Sequence, residues 1–453
     1  MSKLKKIALI NPKSQNYLYD DNPIINDMFI RNKERLKPWY APPLNLLILA
    51  SYIPSDVEVK LYDEFIDNID VNEKFDIVAI TGMTRQIFRA YEIARTFKLK
   101  GSYIVIGGIH SSVLPDEALQ FADTIFIGEA EETWPQFLND YEKGNPQKIY
   151  KSEKLFNLKN SLIPRYELIN YQKFIQNNNY FKFIPVQATR GCPHNCSFCL
   201  TTKFYGKKIR KKKIEQIIKE IEYLKKLNFN NLILFVDDNF FVDKNFSKEL
   251  LKNLLNLKIK YVAQTDLSIA DDEELLELTY LSGCTMVFIG FESLKKANLE
   301  TVNDNKWKMK QVEKYEKSIK IIQNHGIVVF GAFVFGFPDD NLQTFNEVKE
   351  FVLRNKIPAQ FTLLTPIPGT KVFEDLKNSK KLYNDKFWNK CSFFSLLFKH
   401  QNLPKSIAEK EIVKLHDIVF NEENTYERNR YMIYIYKTLP DRWSKINNFL
   451  NYK

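Results

Sequence analysis

Three of the five cysteines in the chain lie within eight residues of one another, in the segment GCPHNCSFC. Cys192, Cys196 and Cys199 follow the spacing Cys-x3-Cys-x2-Cys. Thiols gathered in this way bind a metal or take part in catalysis in a reducing compartment, whereas a disulfide framework needs paired cysteines spread along the chain. The odd number of cysteines and their clustering therefore predict a metal centre.

The number of local ligands distinguishes two kinds of metal centre. A structural zinc site closes with four protein ligands, but this segment offers three thiols, and His194 could become a fourth ligand only by distorting the loop. Cys284 and Cys391 are far away in the sequence. Soft thiolates also hold iron–sulfur clusters, and three thiolates on a four-iron cluster leave one iron open. We therefore favour a [4Fe-4S] cluster over zinc.

The composition is that of a globular protein with several domains. The 453 residues are enough for two or three domains, with 44% hydrophobic and 27% charged residues. Every apolar run is shorter than the roughly 18 residues of a membrane span. The N-terminus also lacks the apolar core and cleavage site of a signal peptide. We expect a cytoplasmic protein without a membrane span.

The formal net charge of +11 is spread along the chain. The densest basic run, GKKIRKKKIEQIIKE at 206–220, leads into an amphipathic helix and is typical of a solvated helix start. This run could also face an anionic substrate or a redox partner. We do not expect a nucleic-acid partner.

Strands and helices alternate through the first 140 residues. Five runs rich in Val and Ile predict buried parallel strands: KIALINP, VEVKLYD, FDIVAITG, SYIVIGG and DTIFIGE. The expected α/β fold therefore begins with a doubly wound, Rossmann-like parallel sheet at 1–140, followed by a linker at 141–180. Ligands of such sheets bind at the carboxyl ends of the strands. Those ends carry Gly82, Gly107-Gly108 and Gly128-Glu129, where backbone can approach a large ligand closely.

A second alternation begins at residue 181. Six apolar runs predict strands: FIPVQAT, NLILFVDD, IKYVAQT, CTMVFIGFE, IVVFGAFVFG and AQFTLLTP. A helical pattern follows each of the first five strands. Six repeats predict a partial (β/α)6 barrel at 181–400, with its site at the carboxyl ends of the strands. The cysteine segment follows the first of these strands. Residues 401–453 predict a helical C-terminal extension.

In this setting, TRGCPHNCSFC resembles the signature of the radical S-adenosylmethionine (SAM) superfamily. The resemblance implies that Cys192, Cys196 and Cys199 hold a [4Fe-4S] cluster whose open iron binds SAM. In that family one electron from the reduced cluster cleaves SAM to methionine and a 5′-deoxyadenosyl radical, which abstracts a substrate hydrogen. A flavodoxin- or ferredoxin-type electron donor is implied as a partner.

The resemblance continues at the strand ends of the second half, in FVDDNF, IGFES and GAFVFGFPDD. Each motif also has an ordinary interpretation as a helix cap, a salt-bridge partner or a turn, but their order around the thiol loop makes the set specific. It implies SAM contacts for Phe198, Asp237, Asp238, Asn239, Glu292 and Gly336.

The first half is similar to the cobalamin-binding domain that precedes the radical domain in one large subfamily. Stretches such as YAPPLNLLILASYI and VIGGIHSSVLPDEAL carry this similarity, which leans towards hopanoid-methylase-like members. It implies cobalamin contacts at the strand ends, by Thr81, Gly82, Gly107, Gly108, Gly128 and Glu129. The Asp-x-His-x-x-Gly motif of cobalamin mutases is replaced by DEFIDN at 63–68. We therefore expect no mutase-type histidine on cobalt and interpret His110 as a satisfied polar residue.

Together, these resemblances imply a cobalamin-dependent radical SAM enzyme with C-methylation of a small-molecule substrate as the expected reaction. Ring formation or rearrangement with the same cofactors is the alternative. A tRNA methylthiotransferase would need three further cysteines in the N-terminal domain, and no cysteine precedes Cys192. A zinc- or nucleic-acid-binding protein would leave the two Gly-punctuated α/β halves unexplained. Cys391 is a conceivable hydrogen donor, but we expect a small buried apolar side chain there.

Overall fold

The computed structural model describes residues 4–14, 23–31, 38–177, 180–303 and 305–438. Two six-stranded parallel sheets follow one another along this part of the chain, one in each half. The predicted α/β fold class, with a Rossmann-like half followed by a barrel-like half, is confirmed.

Six parallel strands form the sheet of the N-terminal half. In chain order, the elements of this half are β1 (Lys6–Asn11), α1 (Pro23–Arg31), β2 (Trp39–Tyr40), α2 (Leu44–Ala50), β3 (Glu58–Asp63), β4 (Ile77–Thr81), α3 (Ile87–Lys98), β5 (Tyr103–Gly107), α4 (Ile109–Val113), α5 (Pro115–Ala118), β6 (Thr124–Ile127), α6 (Thr133–Glu142) and β7 (Ile149–Lys151). The strand order is β3-β1-β4-β5-β6-β7. Ile10 and Ile106 are buried with residues of α3, whereas Leu9 and Val105 are buried with residues of α2 and α6. Helices therefore cover both faces, as in a doubly wound sheet.

The first sheet extends beyond residue 140 into the segment 141–180, which the sequence predicts to be a linker. β7 lies in this segment and pairs in parallel with β6. Such a three-residue edge strand is too short to give a periodic apolar signal. The segment also packs on the second half, because the Tyr166 hydroxyl oxygen lies 2.7 Å from both the Pro185 carbonyl oxygen and Glu220 Oε1 and can donate to either. It is thus a packed connection between the halves.

The second half contains the six predicted barrel strands. Its elements are α7 (Tyr171–Gln176), β8 (Phe181–Lys182), β9 (Ile184–Val186), β10 (Thr189–Arg190), α8 (Thr201–Tyr205), β11 (Arg210–Lys211), α9 (Ile214–Lys226), β12 (Ile233–Phe235), α10 (Lys244–Leu254), β13 (Tyr261–Thr265), α11 (Glu273–Leu281), β14 (Cys284–Glu292), α12 (Lys296–Glu300), α13 (Trp307–Gln311), α14 (Tyr315–Asn324), β15 (Val328–Phe335), α15 (Leu342–Arg354), β16 (Ala359–Leu363) and α16 (Lys371–Asn378). The sheet order is β16-β15-β14-β13-β12-β9. On β14, Val287 and Ile289 are fully buried while Phe288 and Gly290 remain partly exposed, which is the alternation of a strand with one open face.

Two helices follow the barrel, α17 (Lys405–Val419) and α18 (Glu422–Thr438). α17 packs against α15 and β16, and also against α1 from the other half. Residues 439–453 of the predicted C-terminal extension lie outside the described residues. In the part of the chain that the structure describes, no helix is both long and apolar enough to cross a membrane.

Candidate active site

The cysteine segment forms the loop between β10 and α8, and we call residues 191–200 the cluster loop. The antiparallel pairing of β10 with β11 closes its base. Gly191 has a φ of +107°, and a Cβ atom there would lie 2.6 Å from the Lys208 carbonyl oxygen, so the close approach requires glycine. The Cys192 amide donates to the Gly206 carbonyl at 3.2 Å. These backbone contacts hold the start of the cluster loop.

The three thiols differ in exposure. Cys199 is exposed, whereas Cys192 and Cys196 are partly buried. Burial raises the pKa of Cys192 to about 11 and that of Cys196 to about 12, so these two thiols are protonated when free and metal binding to them must release protons. Among the described residues, no three His, Cys, Asp or Glu side chains are grouped so as to hold a single metal ion. Three soft donors on one fixed loop nevertheless suit an iron–sulfur cluster.

The side chains of Asp237, Asp238 and Asn239 point in three directions from the end of β12. The Asp237 carboxylate is fully buried and accepts hydrogen bonds from the amides of Ala188, at 3.1 Å, and Thr189. Burial raises its pKa to about 7. Asp238 accepts from Thr201 Oγ1 at 2.9 Å, beside Cys199. Asp238 therefore reaches Thr201, whose Oγ1 lies 3.3 Å from Cys199 Sγ.

Asn239 belongs to a buried hydrogen-bonded group with Asp266 and His194, and this group supports the cluster loop through His194. Its Nδ2 donates to Asp266 Oδ2 at 2.7 Å, and the same carboxylate oxygen lies 2.7 Å from His194 Nε2. Although burial disfavours the charge, hydrogen bonds from His194, Ser268 and Asn239 lower the pKa of Asp266 to about 2. The His194 ring lies 4.5 Å from Trp307. His194 is thus held by the barrel beside the cysteines.

Glu292, at the end of β14, forms a buried ion pair that sequence reasoning missed. Lys308 Nζ lies 2.9 Å from Glu292 Oε1 and donates to the Gly290 carbonyl at 2.6 Å. Burial disfavours the ammonium, but attraction to Glu292 raises the pKa of Lys308 above its usual range. The two charges lie close enough to Cys196 to influence its pKa. Lys308 follows Glu292 by 16 residues and belongs to none of the motifs, so the sequence gives no signal for the pair.

Phe198 approaches Phe337, the residue that follows Gly336 just after β15. Gly336 has a φ of +107°, and its amide donates to Asp340 Oδ2 at 2.8 Å. The Phe198 ring centroid lies 6.0 Å from that of Phe337. His400 Nε2 lies 2.8 Å from the Phe337 carbonyl oxygen, so the chain after the barrel is attached to this edge. The predicted residues from the loop and the fifth strand are therefore neighbours.

A cavity of about 470 Å³ lies at the carboxyl edge of the first sheet. All six strand-end residues predicted to contact cobalamin line it: Thr81, Gly82, Gly107, Gly108, Gly128 and Glu129. Arg190, Phe204 and Tyr205 of the second half line it as well. These three residues flank the cluster loop, so the cavity and the thiols share one set of neighbouring elements.

The backbone at the sheet edge is shaped to admit a large ligand. Gly108 has a φ of +108°, and a Cβ atom there would lie 2.9 Å from the Gly82 carbonyl oxygen. Gly128 has a φ of +82°, and its Cβ position faces open space. Wider side chains at these two positions would fill or distort the edge. The cavity therefore fits the close backbone approach expected for cobalamin.

Glu129 is held by the protein itself. Arg190 Nη1 lies 2.8 Å and Arg210 Nη2 lies 2.9 Å from Glu129 Oε1, and the amide of Phe156 donates to Oε2 at 2.8 Å. Glu131 pairs with the same Arg190, at 2.5 Å. The Glu129 carboxylate thus lines the cavity while pairing with two arginines of the second half, Arg190 and Arg210.

His110 is buried away from the cavity, with both ring nitrogens near protein partners. Nδ1 lies 3.3 Å from Thr84 Oγ1 and Nε2 lies 3.2 Å from Glu117 Oε1. Trp388, from the chain after α16, donates to the other Glu117 oxygen at 3.2 Å. Cys391 is likewise buried, 1% exposed. Both residues have the structural surroundings that the sequence analysis expects.

Two family models match the chain in the order of its two sheets. Residues 40–138 match the B12 binding domain, and residues 186–352 match the Radical SAM superfamily. The second match contains the cluster loop and Glu292, and the first contains the six cavity residues. The Radical SAM family implies a [4Fe-4S] cluster and SAM as cofactors, and the B12 binding domain implies cobalamin.

Two relatives match most of the chain. The chain is 30% identical over 425 residues to the bacteriochlorophyllide d C-12(1)-methyltransferase of Chlorobaculum tepidum, covering 92% of this chain and 87% of that protein. It is 25% identical over 359 residues to the hopanoid C-2 methylase of Rhodopseudomonas palustris, covering 76% and 66%.

The fold is also found in a solved structure. The radical SAM methyltransferase TsrM from Kitasatospora setae, solved with cobalamin and a [4Fe-4S] cluster, superposes with a TM-score of 0.66 at 15% identity, over 84% of this chain and 75% of that one. With the two family matches and the 30% identical relative, this likeness of fold leads to one assignment. The chain belongs to the radical SAM enzymes that carry an N-terminal B12 binding domain.

Proposed function

We propose that the chain is a cobalamin-dependent radical SAM methyltransferase that methylates a carbon atom of a small molecule. One observation carries the proposal: the cavity at the edge of the first sheet is completed by Arg190, Phe204 and Tyr205, which flank the cluster loop. Two cofactors bound at these places would be neighbours. The names of the bacteriochlorophyllide methyltransferase and the hopanoid methylase support methyl transfer to carbon.

The chain's own residues divide between the cofactors. We assign the cluster to Cys192, Cys196 and Cys199, and the polar end of SAM to Asp238 and to the Glu292–Lys308 pair, whose charges act on Cys192 and Cys196. A [4Fe-4S] cluster with SAM supplies the 5′-deoxyadenosyl radical, and cobalamin supplies a transferable methyl group. Phe198 and Gly336 would lie against the adenosine. Thr81, Gly82, Gly107, Gly108 and Gly128 would admit cobalamin.

Asp237 and Asn239 act on this site indirectly, by holding residues that support the cluster loop. The Asp237 carboxylate holds the amides of Ala188 and Thr189, which lead into the cluster loop. Asn239 holds Asp266, which in turn holds His194. Both are positioning residues in this proposal, because their polar atoms are already engaged within the protein.

The surroundings of the cluster loop support an external electron donor. Cys199 is exposed, so one side of a bound cluster would face the surface. A flavodoxin- or ferredoxin-type protein is the donor that we propose. All five cysteines are free, which supports a reducing, cytoplasmic location.

Reconstitution under anaerobic conditions tests the proposal. We expect about four irons per chain, uptake of cobalamin, and reductant-dependent release of 5′-deoxyadenosine from SAM. Cys196→Ala should lose iron and deoxyadenosine formation, whereas Cys284→Ala, a buried cysteine outside the loop, should keep both. Unchanged deoxyadenosine formation in Cys196→Ala, or absence of cobalamin uptake by the wild type, would refute the proposal.

A further inference from the structure

We propose that Arg190 is a positioning residue that fixes the cluster loop relative to the cobalamin cavity, through buried ion pairs with Glu129 and Glu131. The inference rests on the proposed function, because it concerns the distance between the two cofactors. Arg190 is neither among the residues assigned to the cluster and SAM nor among those assigned to cobalamin.

Arg190 stands at the junction of the two sites. It ends β10 and is separated from Cys192 by Gly191 alone. Glu129 and Glu131 follow β6 in the other half and line the cavity. A contact between these side chains therefore links the start of the cluster loop to the edge of the first sheet.

The guanidinium is engaged on all its sides. Nη1 lies 2.8 Å from Glu129 Oε1, Nη2 lies 2.5 Å from Glu131 Oε1, and Nε donates to Gln187 Oε1 at 2.7 Å. The side chains are 7% exposed for Arg190, 3% for Glu129 and 4% for Glu131. The planar guanidinium of Arg190 can make these three contacts only in one orientation. The contacts therefore define both a distance and a direction.

A second arginine completes the charge balance. Arg210 lies opposite Arg190 in the β10–β11 ladder. Its Nη1 and Nη2 atoms each lie 2.9 Å from a different oxygen of Glu129. Two cations from the second half thus face two carboxylates from the first half. A buried network of this kind is weak evidence for net stability, so we infer that its role here is to define the arrangement of the two halves.

The cofactor-to-cofactor distance tests this role directly. In the holoenzyme, pulsed dipolar EPR between the reduced cluster and cob(II)alamin should give one narrow distance distribution. Arg190→Gln leaves Glu131 buried without its cation, so it should both lower the melting temperature and broaden or shift the distribution. Adding Glu131→Gln removes that charge and should restore the melting temperature, while the distribution stays broad or shifted.

A second buried ion pair provides the control. Lys212 and Glu220 are 2.6 Å apart, each side chain is 2% exposed, and both lie in the second half. Glu220→Gln should lower the melting temperature and leave the distance distribution unchanged. A wild-type distribution in the Arg190→Gln/Glu131→Gln variant would overturn the inference, because the ion pairs would then serve stability alone.

A different measurement separates this inference from the proposed function. If the wild type takes up no cluster or no cobalamin, the proposed function fails. The link is then tested by calorimetry of the apoprotein. The wild type should unfold in one transition, and the double variant in two, one for each half. A single transition in the double variant would overturn the inference in that case also.

Discussion

Lys308 Nζ and Glu292 Oε1 lie 2.9 Å apart, with 9% and 12% of their side chains exposed. Lys308 also donates to the Gly290 carbonyl, which fixes the ammonium against the end of β14. Glu292 has a φ of +63°, a conformation that is uncommon outside glycine and that clusters at functional sites. The pair is therefore a rigid polar feature beside Cys196, where the SAM site is proposed.

Removing this ammonium should weaken SAM binding. Lys308→Met removes the cation from the proposed SAM site, and loss of a hydrogen bond from a charged group to bound SAM costs about 1.5–3 kcal/mol, or roughly 10- to 150-fold in affinity. Equilibrium dialysis of SAM against the cluster-loaded protein measures this. Lys306→Met is the control, because Lys306 pairs with Glu300 at the surface. Equal SAM affinity of Lys308→Met and wild type would contradict the assignment.

A side chain at Gly128 should block cobalamin binding. The Cβ position of Gly128 faces open space and the residue lines the cavity, so Gly128→Leu should fill it and reduce cobalamin uptake. Gly144→Leu is the matched control, because Gly144 has a similar φ of +77°, open space at its Cβ position and no place in the cavity lining. Both variants carry a comparable backbone penalty of about 1–2 kcal/mol, because each places a Cβ atom at a positive φ. Cobalamin uptake measured by absorbance should distinguish them; equal loss in both would argue against the cavity as the site.

His110→Gln should leave bound cobalamin unchanged. Both nitrogens of His110 lie near protein partners and the residue is absent from the cavity lining. We expect the same cob(II)alamin EPR spectrum and the same cobalamin content as in the wild type. The melting temperature should fall, because Glu117 loses a partner. A changed cobalt spectrum would instead show that the histidine reaches the metal.

Stability should fall on mild acidification because of His416. Burial lowers its pKa from 6.5 to about 4. Between these two pH values the imidazole of His416 is protonated in the unfolded chain and neutral in the folded chain. Stability is therefore lost as the pH falls through this window, by about 3 kcal/mol at roughly 1.4 kcal/mol per pKa unit. Urea unfolding of the metal-free protein at pH 7 and pH 5 measures the part of the loss that falls above pH 5, about 2 kcal/mol.

A variant isolates this contribution from those of other groups. His416→Gln should reduce the difference between the two pH values. His325→Gln is the control and should leave this difference unchanged. In both histidines Nδ1 lies near the carbonyl oxygen four residues earlier, at 2.9 Å for His325 and 2.8 Å for His416. The control differs in that His325 is partly exposed. An unchanged pH dependence in His416→Gln would show that other groups cause the loss.

The sequence predicts what depends on local pattern. Continuous Val/Ile runs identify the buried strands, and the Cys-x3-Cys-x2-Cys spacing identifies the cluster loop. β7 escapes detection because three edge residues carry no period. The direction of each side chain in the Asp237-Asp238-Asn239 run also escapes detection, since the backbone turns at the end of β12.

Long-range pairs account for most of what the sequence misses at the site. Arg190 pairs with Glu129, which lies 61 residues earlier in the chain. Lys308, in the short helix α13, pairs with Glu292 at the end of β14. Neither pair has a spacing that a local pattern can report. Their partners are determined by how the two halves pack, which depends on the folded chain as a whole.

The central claim is that the two halves bring SAM chemistry and cobalamin together for methyl transfer. The most direct test incubates the reconstituted, reduced enzyme with SAM that carries a labelled methyl group, followed by analysis of the corrinoid. We expect the label to appear on cobalamin in the wild type. Deoxyadenosine release with no label on the corrinoid would contradict the claim and favour ring formation or rearrangement instead.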